Sequence, residues 1–228
     1  ALDCLGLVSL ALGRLDEATR AVPEYVTADP RNAGPTLQML YTSMLTEWQK
    51  LPRAEDGSPP KFNSDIMLLL AEQIVKWTQR EDVQATTAQR REAAVQNAEA
   101  HLLAGKFAEA RELFAPLLPA AQTDPAKLDA TDLRAIFGHA EAQLRGSDPA
   151  KALPEFNRLA TTLPPEHSIR WQALLGDLEA RTALAHAPDG ILKVIAQQRR
   201  LFPALGGPDT AARFDRLERE NIRRRDQQ

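Results

Sequence analysis

The side chains that most often perform catalysis are scattered in this 228-residue chain. No histidine lies four residues from another histidine or from Cys4, the spacing that would place two metal ligands on one helical face. No glycine-rich stretch ends in the Lys-Ser or Lys-Thr pair of a phosphate-binding loop, and no serine stands in a hydrolase elbow motif. We therefore expect no catalytic residue, no metal ion, no cofactor and no enzymatic activity. The histidines are His101, His139, His167 and His186.

His101 and His139 fall inside predicted helices, where a hydrogen-bonded packing role is more common than chemistry. Neighbouring acids such as Asp16 and Glu17 are expected on solvated faces. A catalytic site would require a concave, water-excluded cluster of polar groups, and the spacing of these residues indicates none. The sequence is more informative about the helices on which these histidines and acids lie.

The composition favours helices throughout. Hydrophobic residues make up 43% of the chain and aromatic residues only 5%, and no segment shows the alternating pattern of a strand. A net charge of −3 gives no concentrated basic face, so we expect no nucleic-acid partner. No apolar run approaches the roughly 20 residues that cross a bilayer, so we expect no membrane span.

Small and turn-forming residues follow a definite order between residues 2 and 32. Leu5-Gly6 falls within a first predicted helix, Gly13 ends it, and Ala18 lies where a second helix crosses the first. Two antiparallel helices approach closely only where their crossing points carry glycine or alanine. Asp29-Pro30 should end the second helix, since proline disfavours helical geometry in the residue before it.

The same order recurs further along the chain. Between residues 34 and 92 it is weak: two apolar helical stripes flank a loop rich in proline, glycine and charge. We expect Trp48 and Trp77, which end these stripes, to be buried and Trp171, near a later helix start, to be partly exposed. The later matching residues are Gly105, Ala110 and Phe114, then Ala140, Ala152 and Phe156, then Leu175, Gly176 and Pro203.

This pattern resembles the tetratricopeptide repeat family, and the chain is similar to bacterial proteins that contain such repeats. The resemblance implies an all-α fold, a right-handed α-α superhelical solenoid of helical hairpins with a C-terminal capping helix. It implies one array over residues 1–228. Its parts are repeats at 1–32, 86–126, 131–165 and 168–204, a degenerate hairpin at 33–80 with a long loop at 51–64, and a capping helix at 208–225.

In this family the first helices of successive hairpins line a concave groove, and the resemblance therefore implies groove residues here. Two of the acids are also four residues before an arginine, and such pairs stabilise a helix by about 0.2–0.5 kcal/mol without any ligand. Both interpretations stay open at this point. The groove residues are the acidic series Glu99, Glu141 and Asp177, the arginines Arg134 and Arg170 at a second position, Arg145 and Arg181 near the helix ends, and Phe137.

The expected function is a non-catalytic protein–protein interaction scaffold that binds a peptide or protein segment in the groove. One alternative is a self-associating structural module that forms a homo-oligomer through an apolar N-terminal edge at Leu2, Leu5 and Leu12. Another is an accessory repeat region of a larger enzyme or of a secretion or envelope assembly. Because the chain starts at Ala1 inside a predicted helix, we expect a fragment; we favour the cytoplasm, with the periplasm as the alternative.

Overall fold

A computed structural model describes residues 15–50 and 64–227, and within them the side chains of residues 21–46 and 64–227. All regular structure in these ranges is helical, as the composition predicts. Two short 3₁₀ turns, Ala115–Leu117 and Pro125–Lys127, lie in the longest described connection. The helices are α1 Leu15–Ala28, α2 Pro30–Lys50, α3 Ser64–Thr78, α4 Thr87–Leu103, α5 Phe107–Phe114, α6 Ala130–Arg145, α7 Pro149–Thr162, α8 Ser168–Ala183, α9 Pro188–Leu201 and α10 Pro208–Asp226.

The chemistry at the helix starts explains most of these boundaries. Thr86 and Gln89 form a capping box at α4, in which each side chain bonds the other residue's backbone N–H. The Asp129 carboxylate accepts the Asp132 N–H at the start of α6. Helices α7, α9 and α10 each begin with a proline, whose missing N–H would have no partner in the first turn.

The predicted stop at Asp29-Pro30 is confirmed, because α1 ends at Ala28. The chain re-enters a helix at once, however, since Pro30 is the first residue of α2 and the Asp29 carboxylate accepts from the Asn32 amide at 2.9 Å. No separate loop therefore divides the first predicted repeat from the hairpin that follows. Gly6, Gly13, the apolar edge at residues 2–12 and loop residues 51–63 lie outside the described residues.

Contacts divide the chain into two compact units, Ala1–Leu113 and Phe114–Gln228. In the first, α3 packs against α1, α2 and α4 around buried Leu37, Tyr41 and Ile66. The Tyr41 hydroxyl donates to the carbonyl of Gln96 and thereby joins α2 to α4. The indole N–H of half-buried Trp77 donates to the Pro30 carbonyl at 2.6 Å. That one continuous array extends over residues 1–228 stays a prediction.

In the second unit the helices alternate between two layers. Helix α7 packs against both α6 and α8, and α9 packs against both α8 and α10. Helices α6, α8 and α10 also contact each other in sequence, so α8 lies between its two neighbours. One apolar cluster lies among α6, α7 and α8, and a second lies among α8, α9 and α10. This arrangement positions the candidate site on α6, α8 and α10.

Candidate functional site

Three helices end in the same way, and this fixes which of their residues are equivalent. After α4, α6 and α8 the chain makes the same pair of backbone hydrogen bonds, which closes the helix around one residue in the left-handed region. Only the first of these residues is a glycine. The left-handed residues are Gly105 with φ 74°, Ser147 with φ 70° and Ala185 with φ 57°.

This register corrects two of the predicted equivalences. Counting six residues back from each left-handed residue gives Glu99, Glu141 and Glu179. Glu179, rather than Asp177, is therefore the equivalent of the first two acids, and the predicted pairing of Arg134 with Arg170 is displaced by the same two residues. A signal for the correct alignment is present in the sequence, where these acids are the centres of Ala-Glu-Ala, Ala-Glu-Ala and Leu-Glu-Ala triplets.

The error has a physical cause in Gly176, which the sequence pattern treats as the family's glycine at a hairpin crossing. In the structure Gly176 lies against the ring of Phe156, on the preceding hairpin. Gly138 lies in the same way against the ring of Phe114, and both glycines are nine residues before a left-handed residue. These glycines admit a phenylalanine ring from the previous hairpin. Ala110 and Ala152 are fully buried, as the pattern predicts.

An ion-pair network crosses the three neighbouring helices α6, α8 and α10. The Arg145 guanidinium donates to Glu141 at 3.0 Å on its own helix and to Glu179 at 3.1 Å on α8. Arg213 on α10 donates to the other carboxylate oxygen of Glu179 at 3.0 Å. We call these four residues the Glu179 network. Glu179 on α8 thus accepts hydrogen bonds from one arginine on α6 and from one on α10.

Within this network Arg145 is the group that solvent reaches most easily. Its side chain is 42% exposed, against 16% for Glu141, 21% for Glu179 and 15% for Arg213. The carboxylate of Glu141, followed by that of Glu179, raises the pKa of Arg145 above its ordinary value, while desolvation lowers it. Arg145 therefore stays charged.

The predicted pair of Asp177 and Arg181 forms, but away from this network. Two hydrogen bonds of 2.7 and 3.0 Å join the two side chains, and Asp177 is 4% exposed. The hydrogen bond that Arg181 donates to the Asp177 carboxylate is the main cause of the raised pKa of Arg181. Asp177 is buried and both of its carboxylate oxygens accept hydrogen bonds from Arg181. The pair therefore fits the interpretation in which it stabilises the helix without any ligand.

The remaining predicted residues occupy separate places. Arg170 lies with its guanidinium carbon 4.6 Å from the ring centre of Trp171 and 5.3 Å from that of Phe202. The prediction that Trp171 is partly exposed is wrong, because it is 3% exposed and its N–H donates to the Pro165 carbonyl. Phe137 packs against the ring of Phe156 at 5.8 Å between centroids and belongs to the core.

Arg134 and Glu99 are both half-buried, on α6 and α4 respectively. Glu99 belongs to the first unit and the other predicted residues to the second. Among the predicted groove residues, Glu141 pairs with Arg145 and Asp177 pairs with Arg181. Glu179 and Arg213 are the site residues that the sequence reasoning missed.

His139 and Glu155 form the closest approach to a catalytic pair among the described residues. The Nδ1 atom of His139 lies 2.9 and 3.0 Å from the two carboxylate oxygens of Glu155, across α6 and α7. Its Nε2 atom faces the Gln143 amide nitrogen at 3.5 Å, and His139 is buried. Neither ring nitrogen is thus open to a substrate, and the pair joins two helices. His101 bonds the Asn97 carbonyl in the packing role expected of it.

The described ranges contain no group of three or more metal-ligating side chains and no helix long and apolar enough to cross a membrane. A shallow open depression of about 390 Å³ lies along one side of α2, lined by Gln38, Met39, Thr42, Ser43 and Thr46. Comparison of the chain with protein-family models, with curated proteins and with solved structures finds no match. The tetratricopeptide assignment therefore stays a prediction from the residues.

Proposed function

We propose that this protein is a non-catalytic interaction module of the tetratricopeptide type, a right-handed helical solenoid that binds a segment of another protein. The observation that carries the proposal is the Glu179 network, which lies across α6, α8 and α10 where these helices pack side by side. Each of these three helices contributes at least one charged side chain to the network. An extended segment lying across them would meet a continuous surface of three helices.

The charges of the network favour a partner that approaches Arg145. Glu141 and Glu179 already accept hydrogen bonds from Arg145 and Arg213. A basic partner would therefore have to displace one of these arginines. An acidic or polar segment can instead share the exposed part of Arg145, and a guanidinium has donors enough for several carboxylates. Leu144, the preceding residue in the chain, packs against the apolar cluster among α6, α7 and α8 and is only half-buried, so part of its side chain is accessible.

Binding and photocrosslinking from the native host would test this proposal. A photoreactive amino acid in place of Leu144 should crosslink the partner, and Arg145→Gln should lower partner recovery about three- to tenfold, a range typical of a partly exposed charged contact. Lys151→Gln is the matched control, because Lys151 is a well-exposed cation on α7, in the other layer. Equal partner recovery with Arg145→Gln and with the wild-type chain, together with no crosslink at position 144, would remove this face from the proposal.

A further inference from the structure

The last helix, α10, carries six arginines that fall into two groups. One group is bound within the fold: Arg213 pairs with Glu179, Arg224 donates to Asn221 and to the His186 carbonyl, and Arg225 pairs with Asp226. The other group makes no hydrogen bond or ion pair with any residue that the structure describes. We call this second group the arginine row; it consists of Arg216, Arg219 and Arg223.

The arginine row lies on one side of its helix. Its members are spaced by three and four residues, which places them on adjacent turns, and the row extends for about 10 Å. The side of α10 that packs into the fold carries Phe214, Leu217 and Asn221, all buried. Arg219 and Arg223 are exposed and Arg216 is half-exposed, so all three guanidinium groups are accessible to a partner.

The row has an unfavourable electrostatic arrangement within the isolated chain. Like charges three or four residues apart repel each other on a helix, and two such pairs occur here; Glu220, four residues after Arg216 and three before Arg223, offsets part of this repulsion. The helix dipole favours cations only in the last turn, which accounts for Arg223 but not for Arg216 or Arg219. The acids Asp215 and Glu218 on the same helix bind Arg199 of α9 instead of the row. Carboxylates supplied from outside would turn this repulsion into attraction.

We propose that the arginine row is a docking surface for an acidic protein segment, with carboxylates spaced about one helical turn apart. Each guanidinium can take a carboxylate in two parallel hydrogen bonds, and the row offers three in register. A nucleic acid or an anionic membrane presents its charges over a surface much longer than this row of about 10 Å, whereas three arginines about one turn apart match a short run of carboxylates on one protein segment. The row shares no residue with the Glu179 network, so either proposal can fail without the other.

The test uses the full chain and a labelled helical peptide, alanine-based, with glutamate at every fourth or third position along one face. We expect Arg216→Gln/Arg219→Gln/Arg223→Gln to weaken binding about tenfold in fluorescence anisotropy at low salt, as three exposed charge pairs would give. The control variant is Lys127→Gln/Lys193→Gln/Arg200→Gln. It removes the same charge from three exposed sites elsewhere in the second unit and should change affinity less than twofold. Circular dichroism confirms that both variants fold.

Two further measurements decide the nature of the surface. Glu220→Gln should tighten binding of the glutamate peptide, because it removes the repelling charge beside the row; unchanged or weaker binding would count against the proposal. If the two triple variants weakened peptide binding equally, the effect would come from net charge in general, and this result would overturn the proposal. Tighter, row-dependent binding of single-stranded DNA or of phosphatidylserine vesicles than of the peptide would overturn the assignment to an acidic protein segment.

Discussion

Replacing Gly176 by alanine should destabilise the second unit, although alanine is the better helix former. A Cβ atom at this position would lie 2.7 Å from two ring atoms of Phe156, whereas ordinary contacts begin near 3.4 Å. The ring belongs to a fully buried side chain in the apolar cluster among α6, α7 and α8, so it has little space into which to move. The substitution therefore forces the two helices apart or turns the ring out of its position.

The size of the effect follows from two opposing contributions. Overpacking of a filled core costs about 1–3 kcal/mol, and the short distance to a rigid ring places this site in the upper half of that range. Exchanging glycine for alanine inside a helix returns about 1 kcal/mol. The free energy of unfolding should fall by about 1–2 kcal/mol, which lowers the melting temperature by about 2–4 °C per kcal/mol in a chain of this length.

Urea denaturation followed by circular dichroism measures this change, and Gly190→Ala provides the matched control. Gly190 lies in the first turn of α9 with no atom within 4 Å of its potential Cβ. Its replacement should leave stability unchanged or raise it by up to about 1 kcal/mol. Adding Phe156→Leu to Gly176→Ala should recover part of the loss. If Gly176→Ala matched or exceeded the wild-type stability, the argument that the Phe156 ring fills the space against Gly176 would be refuted.

Three more outcomes follow from single contacts. Glu179→Gln should lower the free energy of unfolding by about 0.5–2 kcal/mol in denaturation, and a double-mutant cycle with Arg145→Gln should show coupling; strictly additive losses would contradict a shared network. Ala185→Gly should stabilise the chain by up to about 1 kcal/mol, because glycine adopts the left-handed geometry without strain; a melting temperature below that of the wild type would contradict this. The hydrogen bond from Arg80 lowers the pKa of Asp82, so its contribution to stability is present above the unfolded pKa and is lost as pH falls; Arg80→Gln should raise the carboxyl pKa in an NMR titration, and an unchanged value would refute the pairing.

Much of the secondary structure can be read directly from residue types. Proline at the first position of α7, α9 and α10, and the capping residues Thr86 and Asp129, specify helix starts through local hydrogen bonding alone. The all-helical character of the described residues and the ion pairs four residues apart depend on the same short-range geometry. Local signals of this kind need no knowledge of the fold.

The register between hairpins could not be read in the same way. Ser147 and Ala185 occupy left-handed positions that residue preference assigns to glycine, and the neighbouring structure holds them there. The sequence pattern predicts the wrong position for Gly176, because the sequence around a helical glycine does not show which side chain packs against it. Its neighbour is the Phe156 ring, 20 residues away along the chain.

The sequence by itself determined several helix starts, through their caps and first-turn prolines, and which charges within one helix can meet. Only the tertiary structure decided that Glu179 holds arginines from two other helices, that Trp171 is covered, and that Arg216 and Arg219 remain unpaired among the described residues. The physical reason is range. A helix cap or an i,i+4 pair is fixed within one turn, whereas burial and pairing between helices depend on how distant segments pack.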